Sequence, residues 1–237
     1  MLASKNMKSL PSCGVVGGMG IYASIRFVNE LYGKFVGVDD FEKPRLLLDV
    51  NTAIPGRTDF FLNGQESPIG ELSKSVRELE SHGVNLIAIP CNSASILIPE
   101  IPASSDTVLL NIIEVVKMAM RRECINKRVL ILGGRVTLRL KTYSQILVDL
   151  NSLEIQISSE EELELINLIN YIKSNGYTSD SDSHSQEFFT NLICKYKPEV
   201  IVLACTELFE PNGFPELKWI DSRSELASEM YRKLKEI

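Results

Sequence analysis

Ile87-Ala88-Ile89-Pro90-Cys91-Asn92-Ser93 and Val200-Ile201-Val202-Leu203-Ala204-Cys205-Thr206 share one pattern. In each, a continuous apolar run rich in β-branched residues ends in a cysteine followed by an amide or hydroxyl residue. Each follows a glycine-marked apolar run, Val15-Val16-Gly17-Gly18 in the first case and Ile131-Leu132-Gly133-Gly134 in the second. The two spacings nearly match: 74 residues from Gly17 to Cys91 and 72 from Gly133 to Cys205. Apolar runs without period-two alternation are what parallel strands covered on both faces require. The repeat therefore predicts two similar halves, each placing a thiol at the carboxyl end of a buried strand.

The rest of the chain extends this pattern. Strands are expected at 13–17, 45–50, 85–90, 107–111, 128–133, 153–157 and 199–204. Helices are expected between them at 21–36, 66–82, 92–98, 112–122, 136–150, 159–174, 185–196 and 222–236. Gly83 stands where a helix should stop, and Ser159 with Glu162 reads as a capping box. The Ser/Asp-rich stretch 174–185 reads as a surface loop. Strand–helix alternation predicts an α/β fold with mostly parallel sheets. Two pseudo-symmetric domains are expected, 1–111 with 219–237 and 112–218, which could bring the two cysteines face to face across a cleft.

The 237 residues are enough for two small cores, and 44% hydrophobic with 24% charged is ordinary for a globular protein. A net charge of −6 without a basic block argues against nucleic acid. No apolar run approaches a membrane span. The opening segment MLASKNMKSLPSC is too polar for a secretory signal and reads as a tail, or as a leader before Met7. Five cysteines, an odd number without close pairs, and only two histidines argue against a disulfide framework or a structural zinc site. A reducing cytoplasm is the expected compartment.

Open α/β sheets bind ligands at the carboxyl ends of their strands. Cys91 and Cys205 both fall there, each just before an expected helix, whose N-terminal dipole and free N–H groups would favour a thiolate. A lone buried cysteine is more often a small hydrophobe; two at matched places argue for function, while Cys13, Cys124 and Cys194 lack that context. Arg57 follows the turn-rich segment Asn51-Thr52-Ala53-Ile54-Pro55-Gly56 after a strand, where its guanidinium could grip a carboxylate. Lys173 precedes Cys205 much as Arg57 precedes Cys91. Gly18-Met19-Gly20 with Ala23 fits a dinucleotide fingerprint, or equally a tight loop whose N–H groups line an anion pocket. Thr137 follows the matching loop of the second half.

Together these motifs resemble the aspartate/glutamate racemase family, in particular its aspartate racemase branch. The resemblance rests on Gly17-Gly18-Met19-Gly20, Asn51-Thr52 with Ile54-Pro55-Gly56-Arg57-Thr58, Pro90-Cys91-Asn92-Ser93-Ala94, Cys205-Thr206-Glu207-Leu208 and Asp221-Ser222, with Lys173 near the family's lysine. It implies a cofactor-independent amino-acid racemase, commonly a homodimer, with the active site in the cleft between the two domains and Cys91 and Cys205 as proton carriers. It also implies that Arg57 and Lys173 contact substrate carboxylates and that Met19, Asn51, Thr52, Asn92, Ser93, Thr137 and Thr206 line the pocket. Three positions depart from the family pattern: Ile21 stands where proline is usual, Ser95 where histidine is usual, and Gly133-Gly134-Arg135-Val136 where Ala-Thr-x-Gly is usual.

Two thiols on opposite sides of one carbon can remove a proton from one face and return one to the other. The expected substrate is aspartate or glutamate, with a neutral amino acid as the alternative. A dinucleotide-dependent oxidoreductase and a non-catalytic amino-acid-binding protein are the rivals. The first rests on Gly18, Gly20 and Ala23 alone and accounts for neither the paired cysteines nor the segment around Arg57.

Overall fold

A computed structural model describes residues 12–236; the opening tail with Met7 lies outside the described residues. In the first half, strands β1 (Ser12–Gly17), β2 (Arg45–Val50), β3 (Leu86–Ala88) and β4 (Val108–Leu110) form a sheet in the order β2-β1-β3-β4. In the second, β5 (Arg128–Gly133), β6 (Leu153–Ile155), β7 (Val200–Ala204) and β8 (Lys218–Asp221) repeat that order as β6-β5-β7-β8. Every pairing is parallel. The two sheets are thus built alike, and β3 and β7, which lead to the two cysteines, hold equivalent places.

The connecting helices are α1 (Ile21–Gly33), α2 (Arg57–Asn63), α3 (Ile69–Ser81), α4 (Asn92–Ser95) and α5 (Ile112–Glu123). They continue with α6 (Arg135–Arg139), α7 (Ser144–Asp149), α8 (Ser159–Asn175), α9 (Ser179–Tyr196) and α10 (Ser222–Glu236). Alternation along each strand sends side chains to two different cores. Val200, Val202 and Ala204 of β7 face an inner core built with α1, α5 and α10, whereas Ile201 and Leu203 face an outer core under α8 and α9. In the same way Ala88 faces the inner core, while Ile87 and Ile89 face an outer core under α3. Each fully buried Ile or Leu contributes roughly 1.5–3 kcal/mol. The inner core, fed by both sheets, holds the halves together. The two-fold phase also carries Cys91 and Cys205 to the outer side of their own sheets.

Several elements differ from expectation. The helix expected over 136–150 is two pieces, broken where Lys141 takes a left-handed φ of 50°. The break turns Tyr143 inward, to 1% exposure. The stretch 174–185 is mostly helix: α8 runs to Asn175, and Thr178 with Ser181 caps α9. Asp180 and Asp182 are first-turn residues of α9, suited to the positive end of the helix dipole. The capping box of α8 lies one residue earlier than expected, on Ser158 and Glu161. The helix expected over 66–82 starts at Ile69, and α2 was not foreseen. Nor was β8, a four-residue strand that extends the second sheet while α10, directly after it, packs on α1 and α5.

Candidate active site

The carboxyl ends of β3 and β7 open onto one cleft of about 210 Å³ lined by both Cys91 and Cys205. The cysteines are 9% and 8% exposed, enough for a small substrate to reach them and too little for bulk water to surround them. Met19, Arg57, Asn92 and Ser93 join the wall from the first half, and Thr137, Lys173 and Thr206 from the second. Asn51 and Thr52, expected in the pocket, do not line it. The Asn51 amide donates to Glu71 Oε2 and Ser75 Oγ, both at 3.0 Å, and its Oδ1 accepts from the Ala53 N–H. Thr52 lies exposed in the turn that this amide closes. Asn51 shapes the loop before Arg57, with both of its N–H donors already engaged.

Polar contacts across the halves fix the two cysteine loops. Thr206 Oγ1 donates to the Pro90 carbonyl at 3.1 Å, next to Cys91. Asn92, 4% exposed, donates to Ser222 Oγ at 3.1 Å and accepts from the Tyr143 hydroxyl at 2.5 Å. Arg223 Nη1 donates to the carbonyls of Thr206 and Leu208, while its Nε and Nη2 pair with Glu30 and Asp221. Thr206 and Asn92 are therefore spent chiefly on holding the cleft in shape. Cys91 opens the four-residue α4 as expected, but Cys205 leads into a turn, not a helix.

The electrostatics of Cys205 also depart from expectation. Its Sγ donates to Glu207 Oε2 at 3.0 Å. Burial, then the Glu207 charge, push this thiol up against the opposing pull of Lys173. Lys173 Nζ lies 3.8 Å from Glu207 Oε1, and the Glu207 charge raises the ammonium pKa although burial opposes it. Glu207 is 3% exposed, and its Oε1 makes no hydrogen bond. Sequence reasoning named this residue only as part of a motif. The available signal was a carboxylate two places after a candidate proton carrier, inside an otherwise apolar run.

The glycine loop serves this carboxylate. A Cβ on Gly20 would stand 2.1 Å from Glu207 Oε1, and one on Gly18, whose φ is +88°, would stand 2.3 Å from the Asn51 carbonyl oxygen. The close approach that a dinucleotide reading would assign to a pyrophosphate is taken by the protein's own groups. Arg57 is held by three carbonyls, Nη1 donating to Ile54 and Pro55 at 3.2 and 2.8 Å and Nη2 to Met19 at 3.2 Å. Its buried Nε has no partner. Met19 thus acts on the cleft through its carbonyl as well as its side chain.

The family profile of the Asp/Glu/hydantoin racemases matches residues 16–212, which include the whole of this cleft. The chain belongs to that family. Membership makes it an enzyme, an amino-acid racemase. It is 23% identical over 199 residues to the broad specificity amino-acid racemase RacX of Bacillus subtilis (strain 168), covering 82% of this chain and 85% of that one. The aspartate racemase of Picrophilus torridus superposes with a TM-score of 0.81 at 24% identity, over 95% of this chain and 94% of the other. An aspartate racemase homologue from Pyrococcus horikoshii OT3 gives 0.70 at 19% identity, over 94% and 99%. These likenesses establish the two-sheet racemase fold.

Two of the racemase's three departures from the family pattern lie away from the cleft. Ile21 is 42% exposed, and Ser95 is fully buried with its hydroxyl donating to the Ile89 carbonyl. Only the third, through Gly134, Arg135 and Val136, forms part of the wall. Cys13 and Cys124 are buried in the inner core, where burial pushes their thiols up to about 12 and about 11. Cys194 is exposed on α9. Among the described residues no group of three His, Cys, Asp or Glu is placed to hold a metal, and no helix is long and apolar enough to cross a membrane.

Proposed function

We propose that the protein racemises an acidic amino acid, aspartate or glutamate, by proton transfer between Cys91 and Cys205 and without a cofactor. The observation that carries this reading is that two cysteines at equivalent strand ends line one small cleft that also holds Arg57 and Lys173. In one direction the Cys91 thiolate takes the α-proton, and the electron pair left on Cα delocalises into the α-carboxylate. The Cys205 thiol then gives its proton to the opposite face. One C–H bond is broken and one formed, and the cysteines end with exchanged protonation. The reverse direction starts from the Cys205 thiolate and the Cys91 thiol.

In this reading Arg57 binds the α-carboxylate. Its carbonyl contacts use three of its five N–H groups and leave Nε–H and one Nη2 hydrogen, a fork suited to a carboxylate. The charge that develops on that carboxylate is stabilised because the donors are already in place in a nearly dry site. Glu207 holds the proton of Cys205, and Lys173 balances the carboxylate's charge. The enzyme works as a homodimer in the cytoplasm.

The test is incubation with a panel of L-amino acids in D₂O, reading α-deuterium and enantiomer ratio together. A two-base racemase gives D-product that carries deuterium at Cα. Ligand binding without exchange would leave the amino-acid-binding rival standing.

A further inference from the structure

A second cavity, of about 330 Å³, adjoins the cysteine cleft and shares Thr58, Gly134, Arg135, Ile169 and Lys173 with its wall. The added lining is Ile166 and Asn170. The two spaces differ in charge. The cleft wall contains the carboxylates of Glu207 and Asp59, whereas the annex wall contains two cations, Arg135 and Lys173, and no carboxylate among the described residues. Arg57 lines the cleft and not the annex.

Lys173 is already engaged by Glu207. Arg135 is exposed and, among the described residues, forms no ion pair, while Arg139 at the other end of the same short helix pairs with Glu162 at 3.4 Å. Arg135 stands between Gly134 and Val136, the two departures from the family pattern that reach the cleft wall. An apolar floor of Ile166 and Ile169 leading to an uncommitted guanidinium suits a short methylene chain ending in an anion. It is ill suited to a cationic side chain, which two like charges would repel.

Resting on the racemase reading above, the geometry points to Arg135 as the specificity determinant: the annex is a subsite for the terminal carboxylate of an acidic amino acid longer than aspartate, glutamate or its next homologue. The α-carboxylate stays at Arg57 beside the cysteines, and the side chain extends between Ile169 and Thr58 to reach Arg135.

The test uses binding of two inert dicarboxylates, succinate and glutarate, measured by calorimetry on the parent protein, Arg135→Ala and Arg135→Lys. Arg135 is the exposed first residue of α6, so both variants should fold, and matching thermal melts check this. The parent is expected to bind glutarate more tightly than succinate. Arg135→Ala is expected to weaken glutarate at least tenfold and to cut the glutarate-to-succinate preference at least fivefold, with Arg135→Lys between the two. Equal weakening of both acids would mean that Arg135 only adds positive potential, and this would overturn the assignment, as would no weakening or a parent that prefers succinate. Racemisation of L-aspartate and L-glutamate by the parent is measured alongside. The expected binding pattern without turnover would remove the racemase reading and keep the subsite; turnover together with an Arg135→Ala variant that weakens both acids equally would remove the subsite alone.

Discussion

Cys205 Sγ donates to Glu207 Oε2 at 3.0 Å, while Cys91 Sγ lies 3.5 Å from the Ser93 hydroxyl. The two cysteines occupy equivalent places in two similar halves, yet one faces a buried carboxylate and the other a neutral hydroxyl. Burial and that carboxylate both favour the protonated form of Cys205. The fold is close to symmetric, and the surroundings of the two thiols are not.

Glu207→Gln tests this asymmetry. It keeps the side-chain shape and removes the charge that raises the Cys205 pKa, so that pKa should fall. Where Cys205 must donate a proton, the alkaline limb of the activity profile should move to lower pH. Where it must accept one, the acid limb should move the same way. The profiles of kcat/KM in both directions provide the measurement, and limbs that stay in place would show that Glu207 does not govern the Cys205 proton.

In the proposed two-base reading, removing either thiol removes one face of the reaction. Cys91→Ala and Cys205→Ala should each lower racemisation by about 10²–10⁴-fold or more, the scale of a lost acid–base group, with circular dichroism unchanged. One variant is expected to retain α-proton exchange of a single enantiomer. Racemisation at the parent rate in either variant would end the two-base assignment.

Arg57 is pinned by the carbonyls of Met19, Ile54 and Pro55, which fixes the orientation of its remaining donors. Arg57→Ala should cost about 2–5 kcal/mol in transition-state binding. Arg57→Lys should not restore it, since an ammonium lacks the planar fork. The proposed contact is to the α-carboxylate, so kcat/KM should fall on acidic and neutral amino acids alike. A loss confined to acidic ones would move Arg57 to the side chain.

Tyr143→Phe leaves Asn92 Oδ1 buried without its donor. An unsatisfied buried polar group costs about 1–3 kcal/mol, so thermal stability should drop by that amount. Activity should fall too, because Asn92 directly follows Cys91. A melt indistinguishable from the parent's would indicate that water replaces the hydroxyl.

Glu161 gives a stability effect tied to pH. Burial would raise its carboxyl, but hydrogen bonds from Lys195, Tyr196 and the Ser158 backbone outweigh this and lower it to about 2. A depressed carboxyl stabilises the fold above its unfolded value, and that contribution is lost as pH falls through the folded one. Glu161→Gln should destabilise by about 1 kcal/mol near pH 7, after allowance for solvent screening. The difference should shrink as pH falls from about 4.3, the unfolded value, toward 2. Chemical denaturation of both proteins at pH 7, 4 and 2.5 checks the trend.

The repeated phrases around Cys91 and Cys205 carried the architecture because strand periodicity and burial on both faces are local properties, visible in seven residues. The same locality made both cysteines and Arg57 legible, and the family resemblance added enough to name half of the cleft wall. Locality failed where a residue's partner lies far along the chain. Nothing near Asn51 reveals that Glu71 and Ser75 claim its amide, and nothing near Tyr143 reveals that a break at Lys141 turns it toward Asn92. The stretch 174–185 was misread because serine and aspartate suit loops and first helical turns equally. Sequence by itself therefore determined two parallel sheets with a thiol at the end of each. Tertiary structure alone decided that Gly20 leaves room for the Glu207 carboxylate and that the Cys205 thiol is pushed up, because both depend on burial and on how the glycine loop of the first half meets Glu207 in the second.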